Sequence, residues 1–148
     1  MIFIENETDQ AFPAELLENA ARATLDLSGA PDGDLSIVLV EDAHIRALDR
    51  DFLAHDAVTD VLSFPSDESD PETGCRYLGD VVIAQARAAL QALERGHSTE
   101  AEMQLLVVHG VLHLLGHDHA GLDEKERMWA AQAQALERLG ISPEIVHE

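Results

Sequence analysis

Four of the eight histidines in this 148-residue chain fall within eleven positions, His109-Gly110-Val111-Leu112-His113-Leu114-Leu115-Gly116-His117-Asp118-His119. Residues four apart on an α-helix lie about 40° apart around its axis, so His109 and His113 project from one face, one turn from each other. Two imidazoles so placed can share an ion. Gly116 can take the left-handed conformation that ends a helix, letting the chain reverse and return a later residue to the same face. His119 is the expected third ligand; His117 is the alternative, but it follows Gly116 directly and has less chain with which to turn back. Three neutral imidazoles leave one position of a tetrahedral zinc ion for water, as in catalytic rather than structural sites. Zinc lowers the pKa of such a water toward about 7, and hydrolysis is the chemistry implied. The competing explanation is a set of ordinary core histidines. It suits one ring better than three, since each buried polar group without a partner costs about 1 to 3 kcal/mol.

The helix carrying these rings is expected to open at Thr99, which with Glu102 has the spacing of a capping box, and to run through Leu115. Apolar residues from Met103 to Leu115 surround its axis, the signature of a helix in the middle of a domain. Around it the periodicities predict strands at 2–5, 35–40, 61–64 and 77–83, with Pro65 stopping the third. A first helix follows Pro13, with Leu16, Leu17, Ala20, Ala21 and Leu25 at helical spacing and Gly29 at its end. A second starts at Asp42 with Ile45, Leu48 and Phe52 inward, a third spans 84–95, and the last spans 122–139 with Trp129, Ala133, Leu136 and Leu139 on one stripe. The predicted order is βαβαββααα.

Length fits one compact domain, 1–148, and 46% apolar composition is enough for a buried interior. No apolar stretch approaches the roughly 20 residues of a membrane span. The start of the chain has neither a basic flank nor a long apolar run, so no secretory signal is expected and the cytoplasm is the default location. Cys75 is the single cysteine, which rules out an internal disulfide. The 29 Asp and Glu against nine Lys and Arg give a net charge of -20, with Lys125 the one lysine. Such a chain lacks the clustered cations of an extensive nucleic-acid surface, and one Trp, one Tyr and four Phe make a base-stacking platform small. The acidic excess reads as a solvated surface that keeps the protein soluble, with a cationic partner as the alternative.

The histidines and glycine fit the metzincin peptidase frame H-E-x-x-H-x-x-G-x-x-H except that Gly110 stands where the general-base glutamate belongs. Glycine has no group with which to take a proton from the zinc water. The whole run resembles instead the signature of the bacterial YbeY family, metal-dependent endoribonucleases and rRNA maturation factors. Thr59-Asp60-Val61-Leu62-Ser63-Phe64-Pro65 and Leu78-Gly79-Asp80-Val81-Val82-Ile83 resemble two further motifs of that family, in the same order and at fitting spacing. The resemblance implies an α+β fold with a mixed sheet of about four strands and about five helices, a zincin-like metal-bearing helix, one Zn2+ on His109, His113 and His119, and a role in ribosomal RNA processing and ribosome quality control. It also implies RNA as substrate and contacts with a small-subunit ribosomal protein and an Era-type GTPase.

Two positions depart from the family pattern. Many relatives have tyrosine where this chain has His117, which adds a further ligand or proton carrier. The family commonly has an arginine six residues before the Thr of the Thr-Asp-Val block, suited to a phosphate, and here that position is Leu53. Arg50, His55 and Arg76 are the candidate substitutes, and Thr59, Asp60 and Ser63 are expected to line the cleft. His117 and Asp118 are the candidates for assisting proton transfer, Asp118 being equally suited to orienting a liganding imidazole. A metallopeptidase and a non-catalytic, metal-braced ribosome assembly factor are the alternative functions. Imidazoles must be neutral to bind an ion, so metal bound at pH 8 is expected to be released at pH 5. Metal content after dialysis at the two pH values checks this.

Overall fold

In a computed structural model, residues 1–53, 60–66, 71–72, 76–117 and 121–142 are described. Strand β2 (Asp34–Val40) sends Leu35, Ile37 and Leu39 to one face and Val38 and Val40 to the other, the alternation of a strand covered on both sides. It pairs in parallel with β1 (Ile2–Asn6) and with β4 (Tyr77–Ala84), and β3 (Val61–Pro65) pairs antiparallel with β4 at the edge. The result is a mixed four-stranded sheet in the order β1-β2-β4-β3. One face is covered by α1 (Ala14–Leu27) and α4 (Thr99–Leu114), with α3 (Gln85–Arg95) packed on α4 and α5 (Leu122–Arg138) packed on α1 and α4. The other carries α2 (Asp42–Leu48), whose Ile45 meets Leu62, Val82 and Ala84. The expected βαβαββααα order and α+β class are observed, with a π-helical turn, Asp49–Leu53, added after α2. Among the described residues no helix is long and apolar enough to cross a membrane.

Helix α4 is buried from Glu102 through Leu112, with Leu114 following. Two glycines let it lie this close to the sheet. A Cβ on Gly110 would stand 2.6 Å from Cγ1 of Val81, and one on Gly79 would stand 2.2 Å from the carbonyl oxygen of Phe64 and 3.0 Å from Cδ2 of Leu114. Gly79 also has φ +136°, a conformation that disfavours any other residue, and sits where the β2–β4 register shifts.

Two local expectations are corrected. The α4 cap is Ser98, whose Oγ accepts from Ala101 N at 3.1 Å, and not Thr99. Glu102 turns inward instead, fully buried, to Arg95 at 3.5 Å and His97 at 3.2 Å, so a tertiary ion pair displaces the expected box. The buried stripe of α5 is Met128, Gln132, Ala135 and Leu136; Trp129 lies at its margin, 36% exposed, beneath the Lys125 ammonium 4.6 Å from its ring.

Alanine at 110 gains helix propensity worth about 1 kcal/mol over glycine but must push a stiff, buried valine, and overpacking of this kind costs about 1 to 3 kcal/mol. Gly110→Ala is therefore expected to lower the Tm. Val81→Ala should cost less stability in that background than alone, a coupling that a double-mutant cycle by thermal denaturation measures.

Candidate metal centre

Helix α4 ends in a way that also builds its site. Gly116, at φ +100°, donates to His113 O at 3.0 Å, and His117 N donates to Leu112 O at 3.0 Å, the paired bonds of a Schellman motif. The turn brings the carbonyl of His117 to 2.9 Å from Nδ1 of His113. One turn earlier, His109 is 4% exposed, and its Nδ1 lies 3.2 Å from Oε1 of Gln132 on α5. The two rings meet edge to face, centroids 4.6 Å apart at 76°, and their Nε2 atoms are 3.1 Å apart.

Both Nδ1 atoms face carbonyl oxygens, to which each can donate in the Nδ1–H tautomer. In a neutral imidazole the other nitrogen then holds a lone pair. With both rings in that tautomer, the Nε2 atoms 3.1 Å apart both offer lone pairs to a proton or a metal ion between them. Two imidazoles on a tetrahedral zinc, with Zn–N of about 2.0 to 2.1 Å, have their nitrogens about 3.3 Å apart. The donor set and its spacing therefore fit zinc. Among the described residues no third His, Cys, Asp or Glu joins the pair. His119 and Asp118 lie outside the described residues.

His117 is half-buried and lines a cleft of about 220 Å³ with Leu115, Gly116, Glu124 and Arg127. Arg127 donates from Nε to Asp123 O at 3.3 Å, and among the described residues its guanidinium forms no ion pair. Ser63 sits beneath α4, donating to Gly110 O at 3.2 Å. With Val81 it fills the space where a side chain at 110 would go, so a general-base glutamate has no room there. Asp60 is buried at the entry to β3, its carbonyl accepting from Ala84 N at 2.9 Å. Arg50 is exposed and paired with Asp51 at 3.1 Å. Arg76 is exposed at the start of β4, where its carbonyl accepts from Asp34 N. His55, Thr59 and Cys75 lie outside the described residues, and Leu53 closes the π-helical turn.

Gln132 and Arg127 were not singled out from the sequence. A signal existed for Gln132, a polar residue between Met128 and Leu136 on a stripe that is otherwise apolar.

The model of a family described as Endoribonuclease YbeY matches residues 3–140. Proteins named endoribonuclease YbeY from Pelotomaculum thermopropionicum, Nocardia farcinica and Chloroflexus aurantiacus are 44%, 43% and 42% identical to this chain. The matches cover 86%, 92% and 95% of it and 86%, 78% and 97% of those proteins. A solution structure of a Thermotoga maritima protein is similar with a TM-score of 0.62 at 26% identity, covering 95% of this chain and 92% of that one.

His113→Ala, purified without an affinity tag, is expected to lose zinc affinity by more than the roughly 10- to 100-fold that loss of an outer hydrogen-bond partner causes. His97→Ala, on the α3–α4 corner, should bind as the unsubstituted protein does; competition against a chromogenic chelator compares them.

Proposed function

Because the chain belongs to the YbeY endoribonuclease family, we propose that it is a zinc-dependent, single-strand endoribonuclease acting in rRNA maturation, at the 3′ end of 16S rRNA, and in ribosome quality control. The observation that supports the metal dependence is the pair of Nε2 atoms 3.1 Å apart on rings whose Nδ1 atoms both face carbonyl oxygens. His109 and His113 hold the ion, with His119 as third ligand. A bound zinc supplies Lewis acidity toward a phosphoryl oxygen and an acidified water for attack on phosphorus.

The remaining work falls to residues of the adjoining cleft. Arg127 offers a guanidinium suited to a phosphate of the RNA backbone, in a chain whose Leu53 leaves the family's arginine position apolar. His117, in the same cleft, moves a proton to or from the reacting phosphate, with Asp118 assisting. A peptidase is disfavoured because Gly110 faces Val81 and Ser63 at closed packing distance. Partners in the family role are a small-subunit ribosomal protein and an Era-type GTPase, and the site of action is the cytoplasm.

The net charge of -20 favours one second function, a non-catalytic assembly factor in which the ion braces the fold and acidic surfaces meet basic ribosomal proteins. The two differ in what a single substitution does. Rigorously purified, zinc-loaded protein should cleave single-stranded RNA, and His113→Ala or chelation should abolish cleavage while ribosome association in a pulldown persists. Intact RNA, together with loss of association on His113→Ala, would establish the assembly factor instead.

A further inference from the structure

Of the two imidazoles, His113 has its outer nitrogen bound by a backbone carbonyl, a partner that no side-chain change can remove. His109 is different. Its Nδ1 rests on Gln132, 23 residues away in sequence and 2% exposed, on the stripe of α5 that packs against α4. A glutamine amide presents either an acceptor oxygen or a donor NH2, and the two ends dictate opposite tautomers of the ring they face. With Oε1 toward Nδ1, the proton stays on Nδ1 and the lone pair is on Nε2. With the NH2 end toward it, Nδ1 must accept, and the proton moves to Nε2, where it blocks an ion.

We infer that Gln132 is a positioning residue for the metal centre, its amide oxygen holding His109 in the tautomer and ring orientation that present Nε2 to the ion; the role presupposes the metal-dependent function proposed above. The buried location strengthens the effect. His109 has almost no solvent available to replace the lost acceptor, so removal of Oε1 leaves an Nδ1–H unsatisfied or lets the proton migrate. A neutral amide also differs from a carboxylate at this position. A carboxylate would raise the basicity of the imidazole and tighten the ion, whereas the amide orients the ring without adding negative charge.

The test compares Gln132→Leu and Gln132→Glu with the unsubstituted protein, measuring zinc affinity by chelator competition and the His109 tautomer in metal-free protein by long-range nitrogen–proton correlation spectroscopy. Leucine should weaken zinc binding by about 10- to 100-fold and abolish the preference for Nδ1–H. Glutamate should retain or tighten binding and keep the proton on Nδ1. Should leucine prevent folding, the glutamate variant still decides, because an acceptor-only side chain must preserve affinity. Unchanged affinity and tautomer in Gln132→Leu, or a loss of affinity in Gln132→Glu, would overturn the role of Gln132 alone. Failure of the unsubstituted protein to bind zinc at all would overturn the metal-dependent function, and this role with it.

Discussion

Two imidazole nitrogens facing each other at 3.1 Å in a largely buried setting are the constraint around which the rest of this molecule is arranged. In the proposed metal centre, positive charge between the rings turns this close approach into a binding site. Each ring is prepared for that role from behind, His113 by the carbonyl of a helix-ending turn and His109 by an amide from the next helix. The folding of α4, its termination at Gly116 and the docking of α5 therefore converge on one pair of atoms.

The sheet contributes by letting α4 come close. Gly110 faces Val81 and Ser63, and Gly79 gives way to Leu114 and the backbone of Phe64, so the motifs on β3, β4 and α4 meet at the two places where side chains are missing. The same contact accounts for the missing peptidase glutamate. The position is not merely occupied by a residue without a carboxylate; it points into packed sheet. The charge follows a similar economy. In a strongly acidic chain Arg50 is matched with Asp51 and Arg95 with Glu102, while Arg127 forms no ion pair among the described residues and lines the cleft that adjoins His117.

Much of this was legible in the sequence, because hydrophobic period and glycine placement are local signals. The order of strands and helices, the central position of α4 and the left-handed helix end at Gly116 all followed from them. What escaped depended on contacts made outside the helix or strand in question. Glu102 has the spacing to cap α4 with Thr99, but Arg95 and His97 draw it inside and leave the cap to Ser98. Trp129 counts as apolar on a helical wheel, yet only its margin position on α5 leaves it partly in solvent. Gln132 would be assigned to solvent by polarity alone; the reason for its burial is an imidazole on another helix. The packing at Gly110 is likewise invisible without Val81, which belongs to a strand 29 positions earlier.

The Schellman turn at the end of α4 also divides the centre into an inherited half and an adjustable half. The support behind His113 is a property of chain path, preserved under almost any exchange of side chains as long as residue 116 tolerates its backbone angle. The support behind His109 is a single codon. In the proposed metal centre, mutation would thus retune the electron density and grip of one ring in small steps while the other remains a fixed reference, a route to a shifted ion preference without rebuilding the scaffold.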